Sequence, residues 1–380
     1  MQRFPYWRLS SFYFFYFAFV GAFSPYWSLY LKSLGFSASE IGVLMSLLMV
    51  TRIFAPTLWS WMADRSGERV AVVRIAAALS LASYLGVFFV RSFWWMFGVM
   101  ALLSFFWSAS LPLVEATTLS HLRDSSARYG HVRLWGSIGF IVAVICTGYV
   151  LDVAEVRVLL WLVLATIAGI LIFSRYIPEA DSAIDHTDRL PVLNILKRPE
   201  VAALFVACFL MVAAHGPFYT FYSLYLAAHG YSKGAIGWLW AVGVICEIAV
   251  FVAMPRIMER FSLLQILSMS FLLAIIRFLL IGWMVDSSGA IFFAQVLHAA
   301  TFGAYHAGAI AAIHRFFRGR HQATGQALYT SLTFGAGGTF GALLSGYLWD
   351  FLGASLTFSV ASLFALLGFF LIAWKFRLQP

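Results

Sequence analysis

Five ionisable side chains stand in stretches that are otherwise almost wholly apolar: Arg52, Glu115, Arg133, Glu247 and Arg277. A charge at mid-bilayer costs at least ~2.5–3.5 kcal/mol on insertion scales, so it is normally partnered, faces the bundle interior and serves a function. Arginine suits the holding of an anion, because its planar fork meets a carboxylate through two parallel hydrogen bonds. A buried carboxyl suits a different task, the uptake and release of a proton in step with a conformational change. Glu247 is the foremost candidate for that task, since residues 236–251 are otherwise apolar. Its alternative is a permanent ion pair holding helices together, for instance with Arg277. Arg277 lies deep within residues 272–281 and is the foremost anion site. Arg133 stands near the start of its apolar run, where a snorkelling arginine is also at home. For Glu115 and Arg52, structural bridges and substrate contacts are comparably good readings. With both acids ionised the five sum to 3 − 2 = +1, a balance that suits a monoanion.

Histidines and aromatics add to this set. His215, His298 and His306 fall inside apolar runs, but the eight-residue step from His298 to His306 spans more than two helical turns and no Cys or carboxylate lies at ligand spacing. No metal, no cofactor and no catalytic residue is therefore expected. His298 shares a helix face with Phe302 and Tyr305, and an imidazole there suits both substrate contact and proton passage. Two clusters, Phe23, Tyr26, Trp27, Tyr30 and Phe218, Phe221, Tyr222, Tyr225, occupy matching places in the chain. Part of each cluster suits the clasping of an aryl or sugar ring, with Tyr26 and Tyr222 as the candidates, although packing is the ordinary role of any one member.

The elements that must position these groups are membrane spans. The chain is 62% hydrophobic and 11% charged, with a mean hydropathy of +0.88. A soluble domain is about half apolar and a quarter charged, so lipid is the expected solvent for most of this surface. Runs of ~20 apolar residues cross a bilayer as helices. Twelve are read, at roughly 9–31, 39–62, 70–90, 94–117, 132–152, 156–174, 200–227, 234–255, 263–284, 288–313, 322–349 and 353–374. Cys146, Cys208 and Cys246 lie inside such runs and imply no disulfide framework. The net charge of +9 reflects topology and not nucleic acid. Seventeen Lys and Arg, from Arg3 and Arg8 to Lys375 and Arg377, occupy one set of segment ends, against Lys32, Arg91, Arg157 and Lys233 at the other. That bias puts both termini in the cytoplasm of a bacterial-type inner membrane.

The chain is also doubled. Ser28-Leu29-Tyr30-Leu31, Gly35 and Ile41-Gly42 recur as Ser223-Leu224-Tyr225-Leu226, Gly230 and Ile236-Gly237, at an offset of 223 − 28 = 195. At that offset Arg52 corresponds to Glu247. Gly148-Tyr149-Val150-Leu151-Asp152 and Gly346-Tyr347-Leu348-Trp349-Asp350 close the fifth and eleventh spans. The expected organisation is a six-helix bundle over residues 1–175, a cytoplasmic linker over 176–199 and a second six-helix bundle over 200–380. Such halves in secondary transporters place a substrate site at the midplane between them.

The loop Ser60-Trp61-Met62-Ala63-Asp64-Arg65-Ser66-Gly67-Glu68-Arg69 resembles the major facilitator signature, with Ser60 in place of its first glycine. The resemblance implies an all-α, twelve-helix fold and a conformational latch at Asp64, Arg65, Gly67 and Arg69. Val132-Arg133-Leu134-Trp135-Gly136-Ser137, Gly237-Trp238-Leu239-Trp240 and Gln295-Val296-Leu297-His298 are similar to the phenylpropionate-transporter group, beside the nucleoside and oligosaccharide proton symporters. What this implies is import of a carboxylate with a proton. Lactose permease, by resemblance, places ionisable groups on the helices that here carry Glu115, Arg133, Glu247, Arg277 and His298. It also has a proton-carrying glutamate where this chain has Thr301.

The expectation is thus a proton-coupled symporter, working as a monomer, for a small organic anion such as an aromatic carboxylate. Arg277, Arg133, Glu115, Arg52, His298, Tyr26 and Tyr222 are its candidate substrate residues, and Glu247 with His298 its proton site. A sugar or nucleoside symporter is the main alternative. Efflux of amphipathic compounds is disfavoured, because the fifth span lacks the Gly-Pro motif of many drug antiporters. An enzyme is disfavoured by the absence of Ser-His-Asp or HExxH patterns.

Overall fold

A computed structural model describes residues 4–122, 127–180 and 193–375. Half of the 176–199 linker, residues 181–192, and the basic residues Arg3, Arg123, Arg189 and Arg377 lie outside that range. The described chain is nearly all helical, and long apolar segments dictate this, since backbone polar groups facing lipid must be satisfied within their own segment. In order the helices are α1 (Tyr6–Phe23), α2 (Trp27–Ser33), α3 (Ala38–Ser66), α4 (Arg69–Leu85), α5 (Phe93–Trp107), α6 (Ser110–Leu122), α7 (Ala127–Val153) and α8 (Leu159–Ser174). There follow α9 (Leu193–Leu196), α10 (Pro199–Ala214), α11 (Gly216–Ala228), α12 (Lys233–Arg260), α13 (Leu263–Trp283), α14 (Ser288–His298), α15 (Tyr305–Phe316), α16 (Gln322–Tyr329) and α17 (Gly338–Lys375).

Among the described residues, ten helical segments are long and apolar enough to span a membrane, against the twelve read from the sequence. The difference has two sources. Gln322–Lys375 counts once at 54 residues, yet its backbone turns at Gly353, where φ is +78°. One crossing needs only ~20 residues. The first span is missed because α1 has 18 residues and carries Arg8, Ser10, Ser11 and three tyrosines.

The chain forms two compact units. One comprises Met1–Phe36, Phe54–Asp185 and Ser232–Trp238; the other comprises Ser37–Ile53, His186–Tyr231 and Leu239–Pro380. Within the first, α1 packs along α7 and α8, and α4 along α5 and α8. The α1–α7 approach is backbone to backbone, because a Cβ at Gly139 would strike the main chain of Phe14 and one at Gly21 that of Phe140. Within the second, α17 packs along α10 and α13.

The doubled sequence gives doubled local structure. Helices α2 and α11 both end on a left-handed glycine, Gly35 at φ +89° and Gly230 at φ +83°. In each the next amide reaches five residues back, Phe36 to Leu31 and Tyr231 to Leu226. The Asp that closes each Gly-Tyr motif caps a helix start. Asp350 accepts from the Ala38 and Ser39 amides of α3 at 3.2 and 2.8 Å, and Asp152 from Lys233 and Gly234 of α12 at 2.6 and 2.9 Å.

Candidate functional site

In the second unit, the break between α10 and α11 creates the site. Pro217 lies in the first turn of α11, where its missing N–H costs nothing, and His215 falls in the joint. The His215 Nδ1 lies 2.8 Å from the Met211 carbonyl, which only accepts, so Nδ1 carries the hydrogen. Its Nε2 lone pair then faces Arg277 Nη1 at 3.2 Å and accepts from it. His215 is thereby held neutral by its two partners.

Arg277 is 0% exposed. Its Nε donates to the Ala294 carbonyl at 3.0 Å, and Nη1 also donates to Thr301 Oγ1 at 3.2 Å. The guanidinium lies over the Phe218 ring, 4.2 Å from the centroid. None of these partners carries a negative charge, and Nη2 has no hydrogen-bond partner. A buried cation without a carboxylate is costly. The contacts fix its fork and leave one donor free.

Around Arg277 the helices bring other groups. His298 Nε2 lies 3.9 Å from Glu247 Oε2, with side-chain exposures of 7% and 18%. The His298 ring is 6.2 Å from that of His215 and stacks on Phe302 at 5.4 Å. Directly after His298 the backbone widens into a π-helical turn, Ala299–Ala304, a feature that often marks functional sites. Tyr222 is buried with an unpartnered hydroxyl, close to Phe218 and Trp240. Tyr219 lies within electrostatic range of Glu247, Arg277 and Arg52. The ion-pair neighbour that Glu247 shows among the described residues is His298, where the sequence had suggested Arg277.

In the first unit, Glu115 and Arg133 meet. Arg133 Nε is 3.8 Å from Glu115 Oε1, and the side chains are 32% and 34% exposed. Tyr129 donates to the same oxygen at 3.2 Å, and Phe17 supports the guanidinium at 3.9 Å. The pair is too long for a hydrogen bond and too exposed to add much stability. It is open to a third polar group. Tyr26 is engaged otherwise: fully buried, its hydroxyl donates to the Val144 and Lys233 carbonyls at 2.8 and 3.2 Å. The signature loop turns at Gly67, φ +72°, and sets Asp64 4.0 Å from Arg69, whose Nη1 reaches Ser120. Arg65 stacks on Trp61.

His215, Thr301 and Gln295 escaped assignment from sequence, whereas Phe218 was read as one of an aromatic cluster. The signal for His215 was its place beside Gly216-Pro217, where a helix must break.

A many-span apolar helical chain with charged groups inside its helices is that of a polytopic membrane protein. The chain belongs to the MFS_1 like family, whose profile matches residues 6–360. It is 29% identical over 375 residues to the Probable 3-phenylpropionic acid transporter of Escherichia coli (strain K12), covering 94% of this chain and 95% of that protein. It is also 29% identical over 377 residues to the Maltose permease of Geobacillus stearothermophilus, covering 96% and 94%. A solved structure of a mutant of the nucleoside transporter NupG superimposes with a TM-score of 0.89 at 18% identity, covering 98% and 99% of the two chains. The fold is that of a major facilitator transporter, a multi-pass membrane protein that carries small molecules.

Proposed function

We propose that this protein is a proton-coupled symporter that imports a small organic anion, an aromatic carboxylate of the phenylpropionate kind, by alternating access. The observation that carries this reading is Arg277: wholly buried, braced by the neutral partners His215, Thr301 and the Ala294 carbonyl, with Nη2 lacking a hydrogen-bond partner. Thr301 matters here. It offers Arg277 a lone pair but no charge, so the cation is left for a substrate carboxylate. Phe218, against the guanidinium, supplies an aromatic face. The name of the Escherichia coli relative supports the same class. Glu247 and His298 form the proton site, and Glu115 with Arg133 a second polar contact. Arg52, in electrostatic range of Tyr219, adds positive potential. The moving bodies are residues 1–175 and 200–380, joined by 176–199, with Asp64, Arg65, Gly67 and Arg69 as a cytoplasmic latch. The protein acts as a monomer in a bacterial-type inner membrane with both termini inside.

A sugar or nucleoside symporter is the second reading, favoured by the Maltose permease match and the unpartnered Tyr222 hydroxyl. Uptake of labelled 3-phenylpropionate into proteoliposomes, with competition by maltose, uridine and benzoate-type acids, separates the two. Competition by carboxylates alone is expected; competition by neutral ligands alone would select the second reading.

A further inference from the structure

A substrate carboxylate on Arg277 leaves part of the buried polar inventory unused. Both amide atoms of Gln295 and the hydroxyl of Tyr222 are without hydrogen-bond partners, and both residues are 0% exposed. Buried polar groups in native interiors are almost always satisfied, so orphans of this kind mark a missing ligand group or a missing water. The two lie near one another. Tyr222 stands edge-on to Trp240, with ring centroids 5.8 Å apart. Gln295 Oε1 and His298 lie against Gly243, one turn further along α12. Tyr222 and Gln295 lie within reach of a side-chain hydrogen bond with each other, but not at a geometry that satisfies either group.

Both also adjoin Arg277. Gln295 follows Ala294, whose carbonyl accepts from Arg277 Nε. Tyr222 packs on Phe218 at 4.8 Å, the ring that carries the guanidinium. The chemistry of the pair is specific. A primary amide presents one acceptor and two donors, and a phenol both donates and accepts. A second carboxylate would answer only the amide N–H, an ammonium only its oxygen, and an unsubstituted ring neither. A hydroxyl answers both.

We propose that Gln295, with Tyr222, is a second recognition point that takes a hydroxyl of the transported molecule, so that the substrate class is a hydroxylated organic acid. The proposal rests on the reading of Arg277 as the carboxylate site and narrows it. The hydroxyl donates to Gln295 Oε1 and accepts from the amide N–H or the Tyr222 hydroxyl, while Arg277 Nη2 meets the carboxylate. A plain aryl acid would bind through Arg277 alone and leave the amide unpaired, and a neutral sugar would leave Arg277 unanswered.

The test uses the full-length protein in detergent and calorimetric titration with 3-phenylpropionate, its three ring-hydroxylated isomers and phenyllactate. At least one hydroxy acid is expected to bind about tenfold or more tightly than 3-phenylpropionate, as sites built around a substrate hydroxyl reject analogues lacking it. Gln295→Leu should bring that ratio to within about twofold of unity, and the near-isosteric Tyr222→Phe should lower it in part. The melting temperature of ligand-free Gln295→Leu should hold or rise, because an orphan amide is replaced by an apolar group of similar size. Equal binding of all the acids by the wild-type protein would overturn the hydroxyl point while leaving the Arg277 reading intact. So would a ratio that survives both variants, or a Gln295→Leu protein that loses thermal stability but keeps its preference. Failure of every acid to bind would overturn the Arg277 reading and this proposal with it.

Discussion

At the scale of single residues, the chemistry turns on what Arg277 does not have. Its Nε and Nη1 are fixed by Ala294, His215 and Thr301, and that geometry needs a planar fork. Lysine is a flexible point charge and reproduces none of it. Arg277→Lys should weaken carboxylate binding by about 1.5–3 kcal/mol, roughly ten- to a hundredfold, the worth of hydrogen bonds to a charged group. Calorimetric titration measures this directly. Thr301→Glu asks the complementary question. A carboxylate placed beside Nη1 would neutralise the guanidinium internally, so binding of organic anions should fall by at least as much, with the protein still folded and as thermally stable as the parent. Unchanged anion affinity in Thr301→Glu would mean that Arg277 does not hold the substrate. Arg277 and Glu247 were visible in the sequence because a charge inside an apolar run has few innocent explanations. The roles of Thr301, His215 and Gln295 around Arg277 were not. Neutral polar side chains are common in membrane helices, and the partners of the first two lie 24 and 62 residues away along the chain.

At the scale of elements, the repeat was legible as a pattern, and the structure shows what part of it does. Gly35 and Gly230 end equivalent helices with the same left-handed turn. The role of Asp152 and Asp350 could not be read, because the amides they cap lie 81–82 and 311–312 positions away. Each carboxylate meets a helix N-terminus, where exposed N–H groups and the helix dipole favour negative charge. Asp350→Ala or Asp152→Ala should therefore cost about 0.5–2 kcal/mol, the usual loss on removing a cap, and Asn at either position should restore part of it. Chemical or thermal denaturation in detergent reads the difference. The α1–α7 contact makes a sharper demand. Gly139→Val must push against the Phe14 backbone, which cannot yield as a side chain end can, and should destabilise by about 1–3 kcal/mol or more. Gly98 in α5 is the control, since nothing lies within 4 Å of its would-be Cβ, and Gly98→Ala should stabilise by roughly 0.5–1 kcal/mol.

At the scale of the whole molecule, charge balance decides what can drive uptake. One monoanion entering with one proton moves no net charge, so under the proposed coupling the membrane potential does no work and the pH gradient does all of it. Each unit of pH then supports about tenfold accumulation, since a factor of ten corresponds to about 1.4 kcal/mol. Proteoliposomes with a neutral interior should accumulate a labelled aryl carboxylate progressively as the outside pH is lowered. A valinomycin-imposed potassium potential at equal pH should leave uptake at its basal level. Glu247 lies 3.9 Å from His298, a neighbour that can share its proton, so Glu247→Gln should abolish the response to pH while substrate exchange across the membrane persists. Accumulation driven by potential alone would require more than one proton per anion and would assign His298 a separate proton. Indifference to both gradients would leave facilitated diffusion, and the carboxyl of Glu247 would then be a structural group with no part in coupling.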